Sequence, residues 1–271
     1  MCKCWGSTYC RITETTYEIT YENRGLVTAM PSSDDDGFCQ PTDDNILIIL
    51  PELYQIILDL DDHPCTKQLF ENIQALTSTG IKGLIERFAG TEARAFNYKI
   101  GIDDSGNNTG YTEGGQTTHT GDDYTFQTSL NMEFLNGATD VAIARTLMHE
   151  LIHAYLLSSF STSDALFESD FPKAYALYLE DLNTDSTPDE ALQHEQIADK
   201  YSNYMEIGLK EMFGNRFNDT FYKRIAMGGL VETDWYKNNT DITNYEKRRI
   251  KDTNNWEDHN MANAQGRDCN D

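Results

Sequence analysis

VAIARTLMHELIHAYLLS, residues 141–158, is an apolar run with His149, Glu150 and His153 set into its middle as the pentapeptide HELIH. Residues four apart on an α-helix stand one above the other on the same face. His149 and His153 can therefore offer two imidazoles to one metal ion, while Glu150 projects about 100° further round the helix. Two nitrogen ligands and a carboxylate near the fourth coordination position are what a hydrolytic zinc site requires. The apolar residues Val141, Ala144, Leu147, Met148, Leu151, Ile152 and Tyr155 recur at helical spacing, so the motif lies inside a strongly buried helix. Thr139 is placed to cap that helix and Asp140 suits its first turn. A His–Glu pair inside such a run costs stability unless something binds it.

The whole chain has 271 residues, enough for one large domain with appendages, and its 39% hydrophobic content supports a real core. Its net charge is −24, which repels phosphate backbones and anionic membranes and so argues against a nucleic-acid or membrane partner. No run of roughly 18 apolar residues is present, and no apolar stretch follows the first five residues. The expectation is a soluble protein without signal peptide or membrane span. Six cysteines, at positions 2, 4, 10, 39, 65 and 269, leave a disulfide-tied N-terminal module open, with the pairing undetermined.

Around the HELIH helix the chain falls into three parts. Residues 1–44 read as an extended accessory segment, with a strand over the alternating TETTYEITYE of residues 13–22. Residues 45–235 carry the main domain. There the apolar run of residues 46–60 is expected to turn helical after Pro51, and His63 to sit in the turn before Pro64. Amphipathic helices follow from Pro64 and from Ile81, as a cover on a sheet. AFNYKIGI (95–102) and YTFQTSLNM (124–132) alternate as strands. The second, leading into the HELIH helix, suits an edge strand that could hold an extended peptide by main-chain hydrogen bonds. Between them, residues 103–123 are rich in Gly, Asn, Thr and Asp and read as a loop or loosely paired hairpin, with His119 a solvated loop residue. Later helices are expected at 171–179, 189–213 and 221–235, the last broken at Gly228-Gly229, with an acidic loop at 180–188. Residues 236–271 hold little apolar content and are expected to form a polar, frayed tail.

A catalytic zinc takes three protein ligands and a water. The preferred third donor is His194, on the apolar stripe of the helix over residues 189–213. Glu195 is the alternative. HEQIAD, residues 194–199, also resembles the N-E-x-x-S-D helix of thermolysin-like gluzincins, in which the Glu binds zinc. Adjacent helical residues do not point at one ion, so the two assignments exclude each other.

With TLMHELIHAYL and HEQIADKY in hand, the chain resembles zincin-type metallopeptidases, most closely the SprT-like bacterial H-E-x-x-H proteins. The resemblance spans roughly residues 64–235, with Pro64-Cys65 opening a helix and a strand before the motif helix as its further features. The chain lacks H-E-x-x-H-x-x-G-x-x-H and so does not resemble a metzincin. The resemblance implies an α+β, zincin-like fold: a small mixed sheet packed on an active-site helix, with a second helix bearing a ligand. It further implies zinc held by His149, His153 and His194, Glu150 as general base, and a peptide or protein substrate. Arg145, Tyr155 and Tyr201 are candidate oxyanion donors by residue type, with none assigned. The alternative function is a zinc-binding interaction or assembly module that catalyses nothing.

Overall fold

The computed structural model describes the backbone at residues 2–5, 9–12, 26–27, 48–49, 56–88, 96–103, 114–120, 125–161 and 190–269. Two compact units divide the chain, Met1–Tyr54 and Gln55–Asp271. In the first unit β1 (Cys2–Trp5) pairs antiparallel with β2 (Tyr9–Ile12), Cys4 opposite Cys10. There β3 (Leu26–Val27) also pairs antiparallel with β4 (Ile48–Ile49). The strand expected over 13–22, the helix over 171–179 and the acidic loop at 180–188 lie outside the described residues.

The second unit is mixed α and β. Its four-stranded sheet has the order β5-β6-β8-β7, built from β5 (Ile56–Leu58), β6 (Asn97–Asp103), β7 (Gly115–His119) and β8 (Thr125–Asn131). The first three in that order run parallel, and β7 closes the margin antiparallel. A strand thus stands at 56–58, where a helix was expected after Pro51. Ile56 and Ile57 are β-branched and pair with Tyr98 and Lys99, and a short apolar run does not by itself distinguish strand from helix. The strand over the second alternating stretch, β8, is interior. The edge beside it is β7, drawn from the Gly- and Thr-rich segment, and β5 is the other edge.

Pro64 at the first helical position opens α1 (Pro64–Gln74), with His63 at its N-cap, and α2 (Thr79–Glu86) follows. Phe70, Phe88, Phe96, Tyr98 and Phe126 interlock at tilted or edge-on angles, Phe88 and Tyr98 having ring centroids 5.2 Å apart. After α3 (Met132–Gly137) comes α4 (Asp140–Ser161), the helix of the HELIH motif. The Thr139 hydroxyl accepts from the Ala142 N–H at 3.4 Å and the Thr139 carbonyl accepts from the Ile143 N–H, as the cap expectation required. Residues 141–154 are all buried, so α4 is enclosed on every side and forms the axis of the core.

Two helical segments, α5 (Glu190–Gln196) and α6 (Ser202–Phe213), are joined without a break by a π-helical turn, Ile197–Tyr201. They are followed by α7 (Asp219–Ile225), α8 (Asp234–Asn238) and α9 (Asn244–Asp258). The polar tail expected over 236–271 is therefore corrected to a docked helix and strap. On α9 the buried stripe is Ile250, Thr253, Asn254 and Glu257, three of them polar, so no apolar periodicity announces it. Glu257 accepts from the Thr139 hydroxyl (2.7 Å) and from the N–H groups of Gln265 (2.7 Å) and Gly266 (3.0 Å). A disulfide joins Cys65 at the start of α1 to Cys269, with Cα atoms 5.6 Å apart. Among the described residues no helix is long and apolar enough to cross a membrane.

Candidate metal centre

On the buried helix α4 one polar stripe, Arg145, Thr146, His149, Glu150 and His153, interrupts the apolar surface. Its spacing of four and one residues keeps all five side chains on adjoining faces. The Nε2 atoms of His149 and His153 lie 3.0 Å apart, as a pair one helical turn apart allows. From α5, Nε2 of His194 comes to 3.2 Å from Nε2 of His149. Candidate ligand atoms of the three imidazoles lie within 4.8 Å of one another, the only such His/Cys/Asp/Glu group among the described residues. Nitrogens bound tetrahedrally to one ion at 2.0–2.1 Å would lie roughly 3.3 Å apart, near the two Nε2 separations of 3.0 and 3.2 Å, so the cluster could hold a metal ion.

The tautomer is set as a metal requires. Nδ1–H of His153 donates to Oε1 of Gln193 at 2.8 Å, and an amide oxygen can only accept, which leaves the Nε2 lone pair of His153 facing the other two rings. Burial above all, and then the neighbouring His153, His194 and Arg145, hold His149 well below the usual histidine range, in the neutral form that binds metals. The π-turn begins three residues after His194, and such turns often mark functional positions.

Glu195, the alternative third ligand, is turned elsewhere. Its carboxylate accepts from the N–H groups of Asp234 and, at 2.9 Å, Trp235, so it caps α8. Glu150, by contrast, lines with His149 an open cavity of about 520 Å³, whose walls include Asn131, Phe134, Arg145 and Gly229. Glycines flank this pair closely. A Cβ on Gly115 of β7 would stand 3.4 Å from Cγ of Glu150, and one on Gly229 would stand 3.3 Å from Cε1 of His149. Gly229 also has φ +76°, a backbone conformation that favours glycine, and a Cβ there would crowd the imidazole by a few tenths of an ångström. Of the three donors proposed by type, Arg145 lines the cavity, tied to Asn254 at 3.1 Å and Asp258 at 2.8 Å. Tyr155 and Tyr201 stack edge-on against each other.

Sequence reasoning missed Gln193, Thr117 and the Gly228-Gly229 wall as parts of the site. Gln193 stands next to His194 and was findable as a neutral hydrogen-bond acceptor beside a candidate ligand. Thr117 was not, because its meeting with Glu150 depends on a strand pairing across the sheet. Comparison with protein-family models, with curated proteins and with solved structures finds no match.

Proposed function

We infer that the chain is a zinc-dependent peptidase of the zincin type, acting on a peptide or protein substrate. The observation that supports it most is the convergence of three imidazole nitrogens from α4 and α5 beside a carboxylate that faces a cavity. His149, His153 and His194 would hold the ion, with Gln193 fixing the ring of His153. A zinc ion held there supplies Lewis acidity, lowering the pKa of water towards about 7 and polarising a carbonyl. Glu150 takes a proton from water as the water oxygen bonds to the scissile carbonyl carbon. It then delivers that proton to the amide nitrogen as the C–N bond breaks. Arg145 lines the cavity wall with its charge paired to Asp258.

The antiparallel margin strand β7 lies beside Glu150, which suits an extended peptide added as a further strand by main-chain hydrogen bonds. Such binding depends little on side chains, so the cleft admits varied sequences. The net charge of −24 agrees with a protein substrate rather than a nucleic acid. The Cys65–Cys269 disulfide suits an oxidising compartment.

The deciding experiment compares wild type with Glu150→Gln on a quenched fluorescent peptide library, with zinc and with chelator. Wild type is expected to cleave only with zinc. Glu150→Gln is expected to bind one zinc and to lose at least about 100-fold in kcat. Zinc-loaded wild type without cleavage, or a Glu150→Gln variant at full rate, would rule the reading out.

A further inference from the structure

Thr117 on β7 lies directly opposite Thr128 on β8, and their hydroxyl oxygens are 2.5 Å apart. A cross-strand pair of threonines is an ordinary way to stabilise a sheet. Here the pair is extended at both ends. The Thr117 hydroxyl reaches Oε2 of Glu150 at 2.7 Å and its main-chain carbonyl at 3.2 Å. The Tyr98 hydroxyl reaches the Thr128 hydroxyl at 2.7 Å. Tyr98 and Thr128 are fully buried, so the chain of hydroxyls ends in the core and not in solvent.

Each hydroxyl carries one proton, and an ionised carboxylate can only accept. The direction of the whole chain is thereby fixed: Tyr98 donates to Thr128, Thr128 to Thr117, and Thr117 to Glu150. Hydroxyls aligned in this way polarise one another and strengthen the last bond. Burial first, and then the charge of Glu150, push the Tyr98 phenol far above its usual range, so it remains a donor.

We propose that Thr117, backed by Thr128 and Tyr98, is the positioning residue for Glu150, holding Oε2 against β7 so that Oε1 is the oxygen that receives the water proton. The inference rests on the reading of Glu150 as general base. It assigns different tasks to its two oxygens. With Oε2 engaged as acceptor, the carboxylate does not rotate between turnovers, and the proton that arrives on Oε1 is in place to leave from the same atom. In this scheme the Thr117 side chain touches neither water nor peptide. It acts through Glu150, by fixing where the carboxylate stands.

The test uses the full chain with Thr117→Val, which keeps the branched shape and removes the hydroxyl, and Thr117→Ser, which restores the hydroxyl. Thr117→Val is expected to lose roughly 10–100-fold in kcat with KM within about 2-fold, and Thr117→Ser to stay within about 3-fold of wild type. Zinc affinity, read by competition with a chromophoric chelator, is expected to be the same in all three proteins. Crystals of the metal-free proteins supply a readout without catalysis: the Glu150 carboxylate should swing from β7 in Thr117→Val and stay in Thr117→Ser. A Thr117→Val enzyme at wild-type kcat, a Thr117→Ser enzyme as slow as Thr117→Val, or a carboxylate unmoved in the Thr117→Val crystal overturns the proposal. Zinc-loaded wild type that cleaves no peptide removes the peptidase reading instead, and the crystals still decide whether Thr117 positions Glu150.

Discussion

Gln193 does for His153 what Thr117 does for Glu150: it fixes an orientation that the helix alone leaves open. Its amide oxygen accepts a hydrogen bond from Nδ1–H of His153, and only the tautomer with a lone pair on Nε2 remains. Gln193→Leu keeps the volume and removes the acceptor. The variant is expected to bind zinc roughly 10–100-fold more weakly, measured by chelator competition. Unchanged affinity would mean that the helix scaffold suffices to orient the ring. At this scale much was legible. His149, Glu150 and His153 announce themselves because their contacts are local, one helical turn apart. The choice between His194 and Glu195 was not. Neighbours on a helix differ by about 100°, and which of them faces α4 depends on how two distant segments pack. The structure turns His194 to His149 and Glu195 to the start of α8.

Among the elements, α6 is tied to the junction of α1 and α2 by a single carboxylate. Glu211 accepts from the hydroxyl and N–H of Thr77 (2.6 and 2.7 Å) and from the N–H of Ser78 (3.0 Å). These bonds, the Thr77 hydroxyl foremost, draw its pKa down from 4.5 to about 2. A folded pKa below the unfolded one means that the native state binds fewer protons. The stabilisation is therefore fully present above pH 4.5 and is lost as pH falls towards about 2. Because the carboxylate is exposed, solvent screening keeps the effect small. Glu211→Gln should lower the urea midpoint at pH 6, and the difference from wild type should close by about pH 2. A difference independent of pH would assign the effect to packing. Element boundaries were read well where periodicity is strong, as for α1, α4, β6 and β8. They failed at β5, a three-residue strand in an apolar run, while at β7 the paired-hairpin alternative held, its Gly, Gln and Thr residues looking like a loop until β8 pairs with them.

At the scale of the molecule, the second unit is closed by its C-terminal segment. The N–H of Asp140 donates to the Arg267 carbonyl and the N–H of Arg267 returns a bond to the Asp140 carboxylate, while Glu257 holds the adjoining turn. The Cys65–Cys269 bridge spans 204 positions, a ring that in the chain-entropy model removes roughly 5 kcal/mol of unfolded-state freedom. None of this was legible. Glu257 and Asn254 are polar, and their burial is intelligible only from the groups they meet at Thr139, on α4 and α7 and in the strap. The most direct test of the central claim is anomalous diffraction at the zinc edge from crystals of the full chain soaked in zinc. The expected result is one ion bonded to the Nε2 atoms of His149, His153 and His194 at about 2.0–2.1 Å, with solvent as fourth ligand. No ion on those three nitrogens, or a fourth protein donor closing the site, would contradict it.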